Sequence, residues 1–158
     1  MHGKGSSKYD NVRVGVNSRL DTLQAAVLRV KVKALQIHEL DDVNRIAKQY
    51  DEALQGLVEI PVIPSGYYSS YAQYTIKLRS RPERDALQAW LKQGGIPSHI
   101  YYIKPMHAQR AFAHLGVNDD KLPVSTWLCD VVLSLPLHPY MTSGDVAEIA
   151  GAIRGFHR

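Results

Sequence analysis

The sequence predicts an α/β chain of the α+β kind, with a long N-terminal helix followed by a small sheet covered by helices. Three observations carry this. No Gly or Pro interrupts the stretch between Gly15 and Gly56. Within it Leu20, Leu23, Val27, Val30, Ala34, Ile37, Val43, Ala47, Tyr50 and Leu54 recur mostly at three- and four-residue steps, the period of a helix face. Beyond Gly56, short stretches rich in β-formers alternate with helical ones, and such strands must bury a face under helices. The 158 residues, 45% hydrophobic and 22% charged, fit an ordinary globular chain on the scale of one domain.

The elements follow in order. Ser18 with Asp21 three residues on has the form of a capping box, and Gly56 is a plausible stop. A helix from Ser18 to Gln55 would be roughly 55 Å long at 1.5 Å per residue. A compact domain of this size is only about 40 Å across. The helix therefore breaks midway, packs on a second copy, or lies between two domains. Pro61 and Pro64 make a loop, and Tyr71 to Leu78 alternates as a strand. Pro82 suits a first helical turn, with Glu83 and Asp85 near its positive end. Ala86, Leu87, Trp90 and Leu91 form that helix's buried face, and Gly94-Gly95 ends it. Ile96 to Ile103 reads as a second strand, and 106–115 as a short helix ended by Gly116. Pro123 starts a helix carrying Val124, Trp127, Leu128 and Val131, and Leu133 to Leu137 is short and extended. Thr142 with Asp145 is a second capping box, opening a last helix through Val146, Ile149, Ile153 and Phe156.

Several function classes are excluded. The net charge of +4 permits an anionic partner, but the 19 Lys and Arg are scattered and no recognition motif accompanies them, so no nucleic acid is expected. No apolar run approaches the roughly 18 residues of a membrane span. Met1-His2-Gly3-Lys4 leads into Gly and Ser without the apolar core of a secretory signal, which points to a cytoplasmic protein without a membrane partner. The single Cys129 excludes a disulfide framework and reads as a small core residue. The seven histidines lack zinc-helix spacing; His107 and His114 could share a helix face, but a surface or capping role suits them better, so no metal is expected. No phosphate loop and no Gly-x-Ser-x-Gly elbow occurs, and no residue is assigned a catalytic role.

Two segments concentrate polar and aromatic groups. Gly15-Val16-Asn17-Ser18-Arg19-Leu20-Asp21 stands at a helix N-terminus, where backbone N–H groups, an amide and a guanidinium suit an anion such as phosphate. The spacing alone favours the plainer reading, a capped helix start with Arg19 paired to Asp21. Ser98-His99-Ile100-Tyr101-Tyr102-Ile103-Lys104-Pro105-Met106-His107 is either a substrate-facing loop or a Tyr-rich sheet edge.

At these segments the chain resembles a known family. The run from Gly15 to Ala26 is similar to the Asn-Ser-Arg-Leu-Asp-x-Leu/Ile-Gln-Ala-Ala signature of the DegT/DnrJ/EryC1/StrS aminotransferases, PLP-dependent enzymes that aminate keto-sugars on nucleotides. The resemblance continues through Tyr71-Ala-Gln-Tyr-Thr-Ile76, Arg84-Asp85-Ala86-Leu87, Gly95-Ile96-Pro97, Tyr102 to His107, Leu122-Pro123-Val124 and Leu133 to Tyr140. It covers nearly the whole chain in order. The Tyr102 loop and the ending look most like the branch that aminates UDP-linked 3-keto-hexuronic acids for surface (O-antigen-type) polysaccharide.

The resemblance implies the fold of the C-terminal domain of fold-type I PLP transferases, with a small, mostly antiparallel sheet. It implies that residues 1–17 enter from a large domain absent from this sequence, that 18–56 form an interdomain helix and that 57–158 form the small domain. The Lys that forms the Schiff base with PLP belongs to the absent domain, so the chain alone is expected to be inactive. Asn17 matches the Asn that reaches the cofactor phosphate of the neighbouring subunit. Arg19 matches an Arg beside the sugar-nucleotide site. Tyr102 and His107 match the Tyr and His of a substrate-side loop. Tyr101 stands where the family often has His, and Ile103 where it often has Pro. The implied partners are a nucleotide-sugar, the missing large domain and a second copy in a homodimer. The alternative is a non-catalytic truncated module that dimerises or binds.

Overall fold

The computed structural model describes residues 20–157, and the chain divides into two compact units between His38 and Glu39. The first unit contains helix α1 (Thr22–Ala34). Its N-cap is Asp21, whose carboxylate accepts from the backbone N–H of Leu23 at 2.9 Å and of Gln24 at 3.4 Å. This corrects the expected capping box, in which Asp21 was the third helical residue; Ser18 lies outside the described residues. Asp21 caps because its own extended backbone (ψ 142°) turns its oxygen onto the first free N–H groups. No residue of α1 is buried. One π-helical turn (Leu35–Glu39) follows, and with it the α-helical ladder changes register.

The second unit holds α2 (Leu40–Leu54), β1 (Tyr74–Lys77), α3 (Arg81–Gln93), α4 (Pro123–Val131), β2 (Val132–Leu135) and α5 (Ser143–Phe156). Strands β1 and β2 pair antiparallel, with Tyr74 opposite Leu135, Thr75 opposite Ser134 and Ile76 opposite Leu133. Single bridges, Glu59 to Lys77 and His99 to Ser134, extend the sheet on both sides. The small antiparallel sheet under helices agrees with the expected fold.

One face of the sheet makes the core. Tyr74, Ile76, Leu133 and Leu135 meet Ile46, Tyr50 and Leu54 of α2, Leu87 and Leu91 of α3, and Ile149 and Ile153 of α5. Fully burying each large side chain contributes about 1.5–3 kcal/mol. The Tyr50 and Tyr74 rings stack with centroids 4.8 Å apart, and both hydroxyls are satisfied, on Pro136 O at 2.9 Å and on Asp51 Oδ1 at 2.6 Å. Burial, more than the neighbouring carboxylates, pushes both phenols well above their ordinary range.

Caps hold the helix starts. Ser80 Oγ accepts from Glu83 N, with Pro82 in the first turn of α3. Thr142 and Asp145 form the reciprocal box expected at α5. Two expectations need correction. The predicted strand Ile96–Ile103 is reduced to the His99 bridge, since Pro97 has no N–H to give to a ladder. The predicted helix 106–115 is instead two 3₁₀ turns, Met106–Ala108 and Arg110–Leu115. The extended backbone of Gln109 (ψ 141°) separates them, and Gly116 closes the second in the left-handed region.

Candidate functional site

Strand alternation prepares the site. Tyr74 and Ile76 point into the core, so Gln73 and Thr75 face the other way, as do Val132 and Ser134 on β2. Thr75 Oγ1 and Ser134 Oγ lie 2.8 Å apart in that second face. The chain between His99 and Val131 covers this face and leaves a cavity of about 470 Å³.

Three pieces of chain build its walls. Tyr101, Tyr102, Pro105, Met106 and His107 come from the loop before and within the first 3₁₀ turn. Leu122 follows the turn Asp119–Lys121. Ser125, Leu128 and Cys129 come from α4. Arg84 secures α4 from behind. Its guanidinium is buried, donating to Cys129 O near the helix C-terminus at 3.0 Å and to Asp85 Oδ1 at 2.6 Å. A cation on late helix carbonyls is favoured by the dipole. The Cys129 thiol is pushed up by burial and by Asp130, against a smaller opposing effect of Arg84, so it is a poor nucleophile.

Of the residues predicted from sequence, Tyr102 and His107 line this cavity together. Tyr102 is exposed, while the His107 ring is almost fully enclosed and its Nε2 lies 2.7 Å from Asp119 Oδ1. The pairing bears on the surface or capping role expected of His107: its ring is held inward by a carboxylate. Asn17 and Arg19 lie outside the described residues. Sequence reasoning missed Gln73, Thr75, Ser134 and Asp119. The first three were readable from strand alternation, since they are the polar positions between Tyr74, Ile76, Leu133 and Leu135. Asp119 carried no local signal, being 12 residues from its partner.

The cavity can hold an uncharged group. Among the described residues its lining contains no Lys, Arg, Asp or Glu, while Thr75, Ser134, Gln73 and His107 supply hydrogen-bonding atoms between apolar walls. PLP does not fit these residues, because the cavity offers neither a lysine amine nor a cationic cradle for phosphate. Among the described residues, no three of His, Cys, Asp and Glu are grouped to hold a metal ion. No helix among them is long and apolar enough to cross a membrane.

Sheet and covering helices make a fold shared with solved aminotransferases. The chain belongs to the DegT/DnrJ/EryC1/StrS aminotransferase family, whose model matches residues 1–154. It is 37% identical over 153 residues to a UDP-2-acetamido-2-deoxy-3-oxo-D-glucuronate aminotransferase of Pseudomonas aeruginosa, covering 96% of this chain and 40% of that protein. It is 39% identical over 154 residues to a UDP-N-acetyl-3-dehydro-alpha-D-glucosamine 3-aminotransferase of Acidithiobacillus ferrooxidans, covering 97% and 40%. Among solved structures, a DegT DnrJ EryC1 StrS aminotransferase from Brucella abortus superposes with a TM-score of 0.84 at 51% identity, over 99% of this chain and 41% of that one. The chain thus spans about two-fifths of the length of the relatives it matches, and corresponds to a C-terminal portion.

Proposed function

We propose that these residues are the C-terminal part of a cytoplasmic PLP-dependent aminotransferase that aminates a UDP-linked 3-keto-sugar for surface polysaccharide. The observation that carries this reading is the ordered family match over residues 1–154, together with a cavity that groups Tyr102 with His107. On this reading 1–17 enter from the large domain, 18–56 form the interdomain helix and 57–158 the small domain. PLP supplies the electron sink for amino transfer and is held mainly by the large domain. Asn17 reaches the cofactor phosphate of a neighbouring subunit, and Arg19 lies beside the sugar-nucleotide. Tyr102 and His107 hold an uncharged part of the substrate and exclude water around it, contributing by positioning.

The apolar side chains of α1 support a covering partner. Leu23, Val27 and Val30, with Ile37 of the following π-helical turn, are all exposed in this chain, an apolar surface that the large domain or a second copy would bury. The same surface favours a second reading, a non-catalytic module that assembles through α1.

The test is to mix the 158-residue chain with PLP, reduce with borohydride, and map the product by intact mass and peptide analysis. The expected result is no stoichiometric pyridoxyl-lysine. A single site-specific adduct would mean that a lysine of this chain serves the cofactor, and the assignment of that role to the absent domain would fall.

A further inference from the structure

We propose that Asp119 is a positioning residue that locks His107 as a hydrogen-bond acceptor toward the cavity. The inference rests on the reading of the cavity as a substrate site, and it names what that site asks of its ligand.

The geometry is specific. His107 Nε2 and Asp119 Oδ1 are 2.7 Å apart, within the range of a charge-assisted bond. The His107 ring is only 6% exposed, whereas the Asp119 side chain is 61% exposed. The two residues meet because Gly116, with φ +60°, reverses the chain after the second 3₁₀ turn, and Asn118 then opens the turn that begins with Asp119. A carboxylate only accepts, so Nε2 must carry the proton in this pair. In a neutral imidazole the proton on Nε2 leaves Nδ1 as an acceptor.

The rest of the lining gives this atom its meaning. The hydroxyls of Thr75 and Ser134 already engage each other, and the remaining walls around His107 are largely apolar. Among the described residues the lining offers no charged side chain, so on this proposal a ligand group that meets His107 brings an N–H or O–H for Nδ1. An amide, an imide or a sugar hydroxyl satisfies that; a phosphate or a carboxylate does not. Without Asp119 the ring is free to move its proton to Nδ1, and the same ligand then meets a donor facing a donor.

Long-range proton–nitrogen NMR on the full 158-residue chain, ¹⁵N-labelled in histidine and held well above the ordinary imidazole range, reads the tautomer directly. In the wild-type chain His107 is expected as the Nε2–H form. Asp119→Ala is expected to give a mixture with the Nδ1–H form, Asp119→Glu to restore the wild-type pattern, and the neighbouring Asp120→Ala to leave it unchanged. An Nδ1–H tautomer in the wild type overturns the proposal. So does an Asp119→Ala variant whose melting temperature falls while its tautomer stays the same, since that is a merely structural carboxylate. The signature requires no ligand or cofactor, so failure of the aminotransferase reading in the borohydride experiment is recorded separately from failure here.

Discussion

Helices α1 and α2 share an apolar rhythm of three- and four-residue steps, yet one buries five residues and the other none. Leu23, Val27 and Val30 of α1 are 79%, 63% and 69% exposed, while Ile46, Tyr50 and Leu54 of α2 are fully buried. The difference lies around the circumference. In α2 the apolar positions keep to one stripe, with Asp41, Asp42, Arg45, Lys48 and Glu52 elsewhere, as suits a helix lying on a core. In α1, Leu23, Ala25, Ala26, Val27, Leu28, Val30 and Val32 spread over most of the surface, interrupted by Arg29, Lys31 and Lys33. A helix apolar on several sides belongs inside a larger body. The lesson is that local sequence makes a helix, but burial requires a partner of the right shape, and among the described residues α2 has one.

The largest test of that contrast is a pair of truncations. Leu54→Ala should cost about 2–5 kcal/mol in urea unfolding, through lost transfer energy and the cavity left behind. Leu23→Ala should stay within about 0.5 kcal/mol, since it removes an exposed side chain from a helix that tolerates alanine. Equal losses at the two sites would break the comparison.

Next in size is association. If the apolar sides of α1 await a covering surface, the chain should self-associate through them in isolation. The double change Val27→Glu with Val30→Glu should weaken that association on the order of tenfold or more, about 1.4 kcal/mol, with the urea midpoint unchanged. Sedimentation over a concentration series reads this. A wild-type chain that stays monomeric throughout would leave α1 without the role assigned to it.

The caps sharpen the comparison further. Thr142→Ala removes the cap of α5, whose Val146, Ile149 and Ile153 are part of the core, and should lower global stability by roughly 0.5–2 kcal/mol. Asp21→Ala removes the cap of α1 and should reduce helicity by circular dichroism without moving the main unfolding transition.

The smallest effect depends on pH. The backbone N–H of Thr142, and then its side chain, hold the Asp145 carboxyl below its ordinary value of 3.8. A carboxyl lowered in the folded state stabilises the fold fully above the unfolded value. That contribution is lost as pH falls through the folded one. Glu83, held down chiefly by the Arg79 guanidinium, adds a contribution of the same sign. The stability gap between wild type and Asp145→Asn should therefore be constant near neutrality and close in acid. A gap that widens in acid would reverse the assigned sign.

The cavity was half legible. The polar, aromatic loop of Tyr102 and His107 reads from its residues alone as either a substrate-facing segment or a Tyr-rich sheet edge, and only the family resemblance favours the first. Thr75 and Ser134 could have been read from alternation, because a strand with period two shows which positions oppose the core. Asp119 was beyond reach, since a carboxylate among loop residues finds its histidine only once Gly116 has turned the chain. The strand expected over Ile96–Ile103 failed because β-forming composition says nothing about whether a neighbour offers a ladder, and Pro97 withholds a donor.

By itself, then, the sequence determined the helices that begin near Pro82, Pro123 and Thr142, the capping box of the last, the strand within Tyr71–Leu78 and the family resemblance, because these rest on short-range periodicity, on backbone hydrogen bonds within a few residues, and on ordered motifs. Tertiary structure alone decided that α2 has a core to lie on, that the second face of the sheet is roofed into a cavity, and that Asp119 meets His107. Each of those is a contact between residues far apart in the chain, and local preference carries no information about which distant surface will arrive.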